Sequence, residues 1–170
     1  MTEECWETSM GMIGERVLRT EDPDLVMGRG TFIDNLALPG ATHVVYVRSA
    51  MAHARISGID IAVAQDMPGV LGVFTHADLV ADGLGPLPMD MPLLPAGIRR
   101  PALADGTVRF VGELIAAVVA ESRALAVDAA EAVFVDYEAL PAVVDPEEAL
   151  TSDVLLFPEH ASNVVVELSA

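Results

Sequence analysis

Lysine is absent: all nine basic side chains among the 170 residues are arginine, set against 26 acidic ones, for a formal net charge of −17. A field of that sign repels phosphate backbones and anionic lipid headgroups, so nucleic acid and membrane surfaces are excluded as partners on electrostatic grounds. Cysteine is nearly absent too. Cys5 stands alone, which rules out an internal disulfide, a thiolate metal quartet and a redox pair, and fits a reducing, cytoplasmic setting. No apolar run approaches the roughly 20 residues that span a bilayer. The longest, Leu114 to Ala120, has the length of a strand. The segment Met1 to Gly11 is acidic and polar and lacks the basic start of a signal peptide, so a soluble cytoplasmic protein is expected.

What the chain does have is apolar material. Hydrophobic residues make up 52% and charged residues 21%, with a mean hydropathy of +0.45, which excludes a disordered chain. The length suits one compact unit with a sizeable core. Residues 1–18 have mixed polarity and no period, and read as a poorly ordered arm. From Arg19 onward, turn residues dominate: Asp22-Pro23, Gly28-Arg29-Gly30 and Leu38-Pro39-Gly40 punctuate a loop or short strand around Phe32-Ile33-Asp34-Asn35.

Periodicity then supplies the elements. His43 to Arg48, rich in β-branched and aromatic residues, predicts a strand, and Arg55 to Ile61 a weaker one. Ala62 to Met67 predicts a short helix stopped by Pro68-Gly69, followed by a strand over Val70 to Phe74 and a helical turn capped by Thr75. The prolines and glycines between Asp82 and Gly106 predict a long loop. Its apolar side chains, Leu84, Leu87, Met89, Met91, Leu93, Leu94 and Ile98, point to a surface that covers a partner. Leu114 to Ala120 has the continuous apolar character of a strand buried on both faces. Ser122 then caps a helix over Arg123 to Phe134 whose apolar positions recur at three and four, and a strand returns over Val133 to Tyr137. A short helix is expected over Glu147 to Leu150. Short strands with one main helix packed on them, without sustained βαβ alternation, specify an α+β fold.

The residue types that carry chemistry do not assemble. Gly28-Arg29-Gly30 lacks the third glycine of a dinucleotide fingerprint, since Ile33 occupies its place, and reads as turn glycines. His43, His53, His76 and His160 show no metal-ligand spacing. His53, at a strand end, is a candidate site residue, against the plainer reading of a ring bonded to nearby backbone. The acids Asp145, Glu147 and Glu148, or Asp22 and Asp34, suit helix caps and solvated faces better than acid–base catalysis. Cys5, beside Glu3 and Glu4, sits where negative charge raises a thiol pKa. No residue is assigned a catalytic, cofactor-binding or metal-binding role.

A longer pattern remains. Arg19-x-Glu21-Asp22-Pro23-x-Leu25-x-x-Gly28-x-Gly30-x-Phe32-x-Asp34, Leu38-Pro39-Gly40, Val47-Arg48-Ser49 and Ala52-His53-Ala54-Arg55-Ile56 are followed by Met67-Pro68-Gly69-Val70 and Thr75-x-x-Asp78-Leu79. Val108-Arg109-Phe110-Val111-Gly112-Glu113 and Val135-x-Tyr137-Glu138-x-Leu140-Pro141-x-Val143 complete the series. In order and spacing these motifs resemble the molybdenum-binding large subunit of the xanthine dehydrogenase and aldehyde oxidase family, of the aerobic carbon monoxide dehydrogenase type. The resemblance implies an α/β-hammerhead domain over residues 19–150, with 151–170 leading toward cofactor-binding domains. Such subunits bind molybdopterin, often as its cytosine dinucleotide, and hydroxylate with oxygen from water; electrons leave through iron-sulfur clusters and FAD on partner chains. The pterin-holding residues and the glutamate base of the family lie after the hammerhead domain, so none transfers to these 170 residues. Many relatives carry Gln where this chain has Glu113. The resemblance thus implies a structural and assembly role, inactive alone, with the remainder of the large subunit, the iron-sulfur subunit and the FAD subunit as partners, the 82–106 loop contacting either the cofactor domains or the iron-sulfur partner. The alternative is a freestanding module that docks on an oxidoreductase. A hydrolase built on His53 lacks a nucleophile, base and orienting group that can be named together.

Overall fold

The computed structural model describes residues 18–33, 36, 38–87, 98 and 100–167. The chain divides into two compact units, residues 1–40 and 41–170.

In the first unit, helix α1 (Asp22–Val26) starts with Pro23 in its first turn and places Asp22 and Asp24 at its positive end. It stops where Gly28 adopts φ 69°. Gly28 N–H then donates to Leu25 O at 3.1 Å and Arg29 N–H to Asp24 O at 2.7 Å, the paired bonds of a Schellman cap. Gly28-Arg29 therefore terminates a helix: the glycines make a turn, as expected, but the segment before it is helical rather than a loop or short strand. Phe32 and Ile33 lie in no strand; Asp34, Asn35 and the arm over 1–17 fall outside the described residues.

The second unit contains two three-stranded antiparallel sheets. Its elements are β1 (His43–Arg48), β2 (Ala54–Asp60), α2 (Ala62–Gln65), β3 (Val70–Thr75), α3 (His76–Ala81), β4 (Thr107–Val108), β5 (Leu114–Ala120), α4 (Arg123–Glu131), β6 (Phe134–Ala139) and α5 (Pro146–Ala149). The sheet orders are β1-β5-β3 and β4-β2-β6. This is the expected α+β arrangement of short strands and one main helix.

β5 is central in the first sheet, and its apolar run is explained by what lies on its two sides. Val118 is in register with Val45 of β1 and Val73 of β3, and it packs with Ala64, Ala129 and Val133 beneath α4. One residue out of phase, Ile115 turns the other way, into a second cluster with Ala54, Ala104 and Val108. Val73, Ile115, Ala116, Val118 and Ala120 are all buried. α4 is placed by Ser122, whose Oγ accepts a hydrogen bond from Leu125 N–H at 3.3 Å. Ala126 and Ala129 face the sheet and keep the helix close to it. The helix ends at Glu131 rather than Phe134, because Phe134 is needed to pair with Asp60 at the start of β6.

The turn before β3 depends on Gly69. Its φ is 79°, and a Cβ there would lie 2.6 Å from Leu125 Cδ1 of α4, so the turn and the helix compete for the same space. The 82–106 loop is tied at its ends by Leu87 N–H donating to Arg100 O at 2.9 Å. Ile98, expected on a partner-covering surface, is instead buried in this chain's own fold, as are Leu103 and Ala104. Leu84 and Leu87 remain exposed, and residues 88–97 and 99 fall outside the described residues. Residues 151–167 form a looped segment organised by Asn163. Its Oδ1 accepts from Leu156 N–H at 3.2 Å, and its Nδ2 donates to Ala149 O at 3.1 Å and Val154 O at 2.8 Å.

The double burial of β5 sets the cost of truncating it. Ile115→Ala is expected to lower the unfolding free energy by about 2–5 kcal/mol. Val111→Ala, at a side chain 63% exposed, should change it by less than about 0.5 kcal/mol. Urea unfolding of both variants checks the contrast.

Candidate functional site

An open concavity in the second unit lies beside α3. Thr75 leaves β3 in extended conformation, and the Asp78 carboxylate accepts both its N–H and its hydroxyl, each at 2.7 Å. These bonds, the backbone N–H first and the hydroxyl second, hold the Asp78 carboxyl below its usual 3.8, against a smaller opposing effect of burial. The cap fixes the first turn of α3 and brings His76 and Val80 to the wall of an open cleft of about 760 Å³.

Across the cleft lie Asp105, Arg109, Phe157 and Glu159. His76 Nε2 is 3.6 Å from Asp105 Oδ1, while its Nδ1 is buried without a hydrogen-bond partner among the described residues. Arg109 is held on three sides. Its Nε–H donates to Leu156 O at 3.0 Å and its Nη1–H to Thr107 O at 3.2 Å. The guanidinium carbon sits 5.0 Å from the centre of the Phe157 ring. Arg109 and Phe157 also line a second opening of about 310 Å³.

The chemistry available in the cleft is limited by its side chains. None of the described residues lining it is Ser, Thr, Cys or Lys, so no hydroxyl, thiol or amine nucleophile stands beside His76 among them. Among the described residues, no group of three His, Cys, Asp or Glu side chains comes together to hold a metal. Arg109 directs its Nε–H and one Nη1–H to backbone carbonyls. With no such ligand group among them, the described residues do not fit molybdenum or an iron-sulfur cluster.

The residues weighed from sequence lie apart. His53 Nδ1–H donates to Pro141 O at 2.6 Å, and Leu140 N–H donates to His53 O at 3.0 Å; the ring pins the end of β6, the plainer of its two readings. His160 Nε2–H donates to Val164 O at 2.9 Å. Asp145 caps α5, accepting from Glu147 N–H at 2.7 Å and Glu148 N–H at 3.4 Å. Glu113 accepts the backbone N–H of Arg109. Nearby, Ser49 N–H donates to Glu113 O at 2.9 Å, and Gly112 N–H to Ser49 O at 2.8 Å, so Glu113 is a turn-closing residue. Cys5 and Asp34 lie outside the described residues. The pairing of Arg109 with Phe157 and of His76 with Asp105 went unread, because each joins segments distant in sequence with no shared period.

Two outcomes follow from this geometry. Arg109→Ala should destabilise the chain by about 1–3 kcal/mol, and Arg109→Lys should restore only part of that, since an ammonium has neither the fork nor the plane. Thermal and urea unfolding measure both. Asp78 has a folded pKa below its unfolded one, so its stabilisation is fully present above the unfolded value and fades as pH falls through the folded one. Asp78→Asn should therefore flatten the acid limb of a stability–pH curve taken from about pH 5 to about pH 2.

Comparison with known proteins closes the question of family. Residues 27–141 match the model of the aldehyde oxidase and xanthine dehydrogenase a/b hammerhead domain. The nicotine 6-hydroxylase large subunit of Paenarthrobacter nicotinovorans is 40% identical over 156 residues, covering 90% of this chain and 19% of that one. Quinoline 2-oxidoreductase from Pseudomonas putida 86 superimposes with a TM-score of 0.75 at 46% identity, over 88% of this chain and 19% of its own. A Cu,Mo-CO dehydrogenase superimposes with a TM-score of 0.72 at 40% identity, over 90% of this chain and 19% of its own. The chain thus spans about a fifth of the length of these relatives. With its two small sheets, its single main helix and its matched motifs, it belongs to the aldehyde oxidase and xanthine dehydrogenase α/β-hammerhead family.

Proposed function

We propose that this chain is the hammerhead portion of a molybdenum hydroxylase large subunit, with a structural and assembly role and no catalysis of its own. The observation that carries the reading is the match to a family of oxidoreductases over most of the chain, set beside polar side chains that are committed to helix starts, backbone carbonyls and an aromatic ring. In such enzymes the protein's task is to position a cofactor and exclude water, and a portion without ligands contributes scaffold. Molybdopterin, as its cytosine dinucleotide, belongs in this reading to the remaining four-fifths of the large subunit and supplies the hydroxylation of substrate with oxygen from water. Iron-sulfur clusters and FAD sit on partner chains. Residues 19–150 form the hammerhead domain proper and 151–170 lead toward the cofactor-binding part. A cytoplasmic location agrees with the single cysteine and with the lack, among the described residues, of any helix long and apolar enough to cross a membrane.

Metal and pterin analysis tests the proposal. The chain purified alone should contain neither molybdenum nor iron, and the chain recovered from its own cells together with its partners should contain both, along with pterin. Their absence from both preparations would overturn it.

A further inference from the structure

The two sheets of the second unit turn different surfaces outward. In the β4-β2-β6 sheet, Ile56, Ile59, Val135 and Tyr137 pack inward. The opposite side carries Arg55 and Glu138, ion-paired at 2.8 Å, together with Asp60 and Asp136. That is an ordinary solvated face with one exposed aromatic, Phe134. The β1-β5-β3 sheet is different. α4 covers the side bearing Val118. On the other side, the row that begins with buried Ile115 continues through Ala117 and Val119, which are only half-buried. Ala117 is flanked in register by Tyr46 and Phe74, and Val119 by Val44 and Gly72. Val44, Tyr46 and Phe74 are 48%, 44% and 39% exposed. None of these residues is charged, in a chain of net charge −17.

The face is also shaped. A Cβ on Gly72 would lie 2.9 Å from the Phe74 ring, so that ring lies down against the glycine, and small Ala117 stands between it and Tyr46. Two aromatic walls with a floor of small residues make a seat for an apolar side chain. The seat continues the Ile115 core rather than standing apart from it, as expected of a core completed by further chain.

We propose that this face of the β1-β5-β3 sheet is where the cofactor-binding remainder of the large subunit docks, through an apolar segment. The inference rests on the function proposed above. The occupant follows from length and charge. The relatives continue for about four-fifths of their length beyond what this chain matches, which supplies ample chain to cover the face. A second copy would bring another −17 to the contact, and a charged peptide would find no complementary group there.

A photo-crosslinking amino acid at position 46, with a control at position 57, tests the proposal in the chain's own cells. Crosslinked peptides are identified by mass spectrometry, and molybdenum and pterin are measured in the same material. Position 46 should crosslink to the large subunit's cofactor-binding portion, whether that portion lies in the same polypeptide or another, and position 57 should not. In parallel, Phe74→Glu should leave the circular dichroism of the isolated chain unchanged and reduce the molybdenum recovered with it at least about tenfold, the scale of a central interface anchor. Molybdenum recovered without that crosslink, or a crosslink to a second copy, to an iron-sulfur subunit or to a flavin subunit, overturns the docking face and leaves the functional reading standing. Absence of molybdenum and pterin from every preparation overturns both.

Discussion

One strand, buried on two sides, organises the second unit. β5 must satisfy its two edges with β1 and β3, its Val118 side with α4, and its Ile115 side with the other sheet. A polar side chain at Ile115, Ala116, Val118 or Ala120 would be stranded on one side or the other, and the whole segment contains only Leu, Ile, Val and Ala. Small residues matter as much as large ones. Ala116 and Ala120 let α4 approach, and Ala54 and Ala104 let Ile115 reach the second cluster. Ile115 and Val118, both fully buried, are each worth about 1.5–3 kcal/mol.

The polar interactions serve the same end. Asp78, Ser122 and Asp145 spend their side chains on helix starts, His53 and His160 on backbone carbonyls, Asn163 on its own loop, and Arg109 on two carbonyls and a ring. Groups used as structural ties are unavailable for proton transfer or ligation. Under the proposed function, the chemistry expected of the family falls to the rest of the large subunit.

What could be read from sequence depended on whether the signal was local. β5 was legible because burial on both faces leaves a continuous apolar run, and α4 because Ser122 and its spaced alanines announce it. α3 was legible through Thr75 and Asp78. β4 was not: two residues carry no period, and they form a strand only because Ala54 and Arg55 are there to pair with them. α1 was read as turn punctuation, since five residues with Pro23 inside resemble a turn more than a helix. The cleft was invisible for a related reason, as His76, Asp105, Arg109 and Phe157 converge from segments with no common pattern. Of the apolar side chains of the 82–106 loop, Ile98 turned inward to this chain's own core, Leu84 and Leu87 are exposed, and Met89, Met91, Leu93 and Leu94 lie outside the described residues. A further exposed apolar surface lies on a sheet face, where alternation in β1 between outward Val44 and Tyr46 and inward Val45 and Val47 had looked like an ordinary strand.

Native-state hydrogen exchange tests the central claim most directly, because it reports the free energy at which each amide opens. If β5 ties the helix layer and the second sheet into one cooperative structure, its amides and those of β2 will exchange only through global unfolding, at the same free energy as urea denaturation. Two distinct opening energies, one for each sheet, or β5 amides that exchange below the global value, would contradict the account.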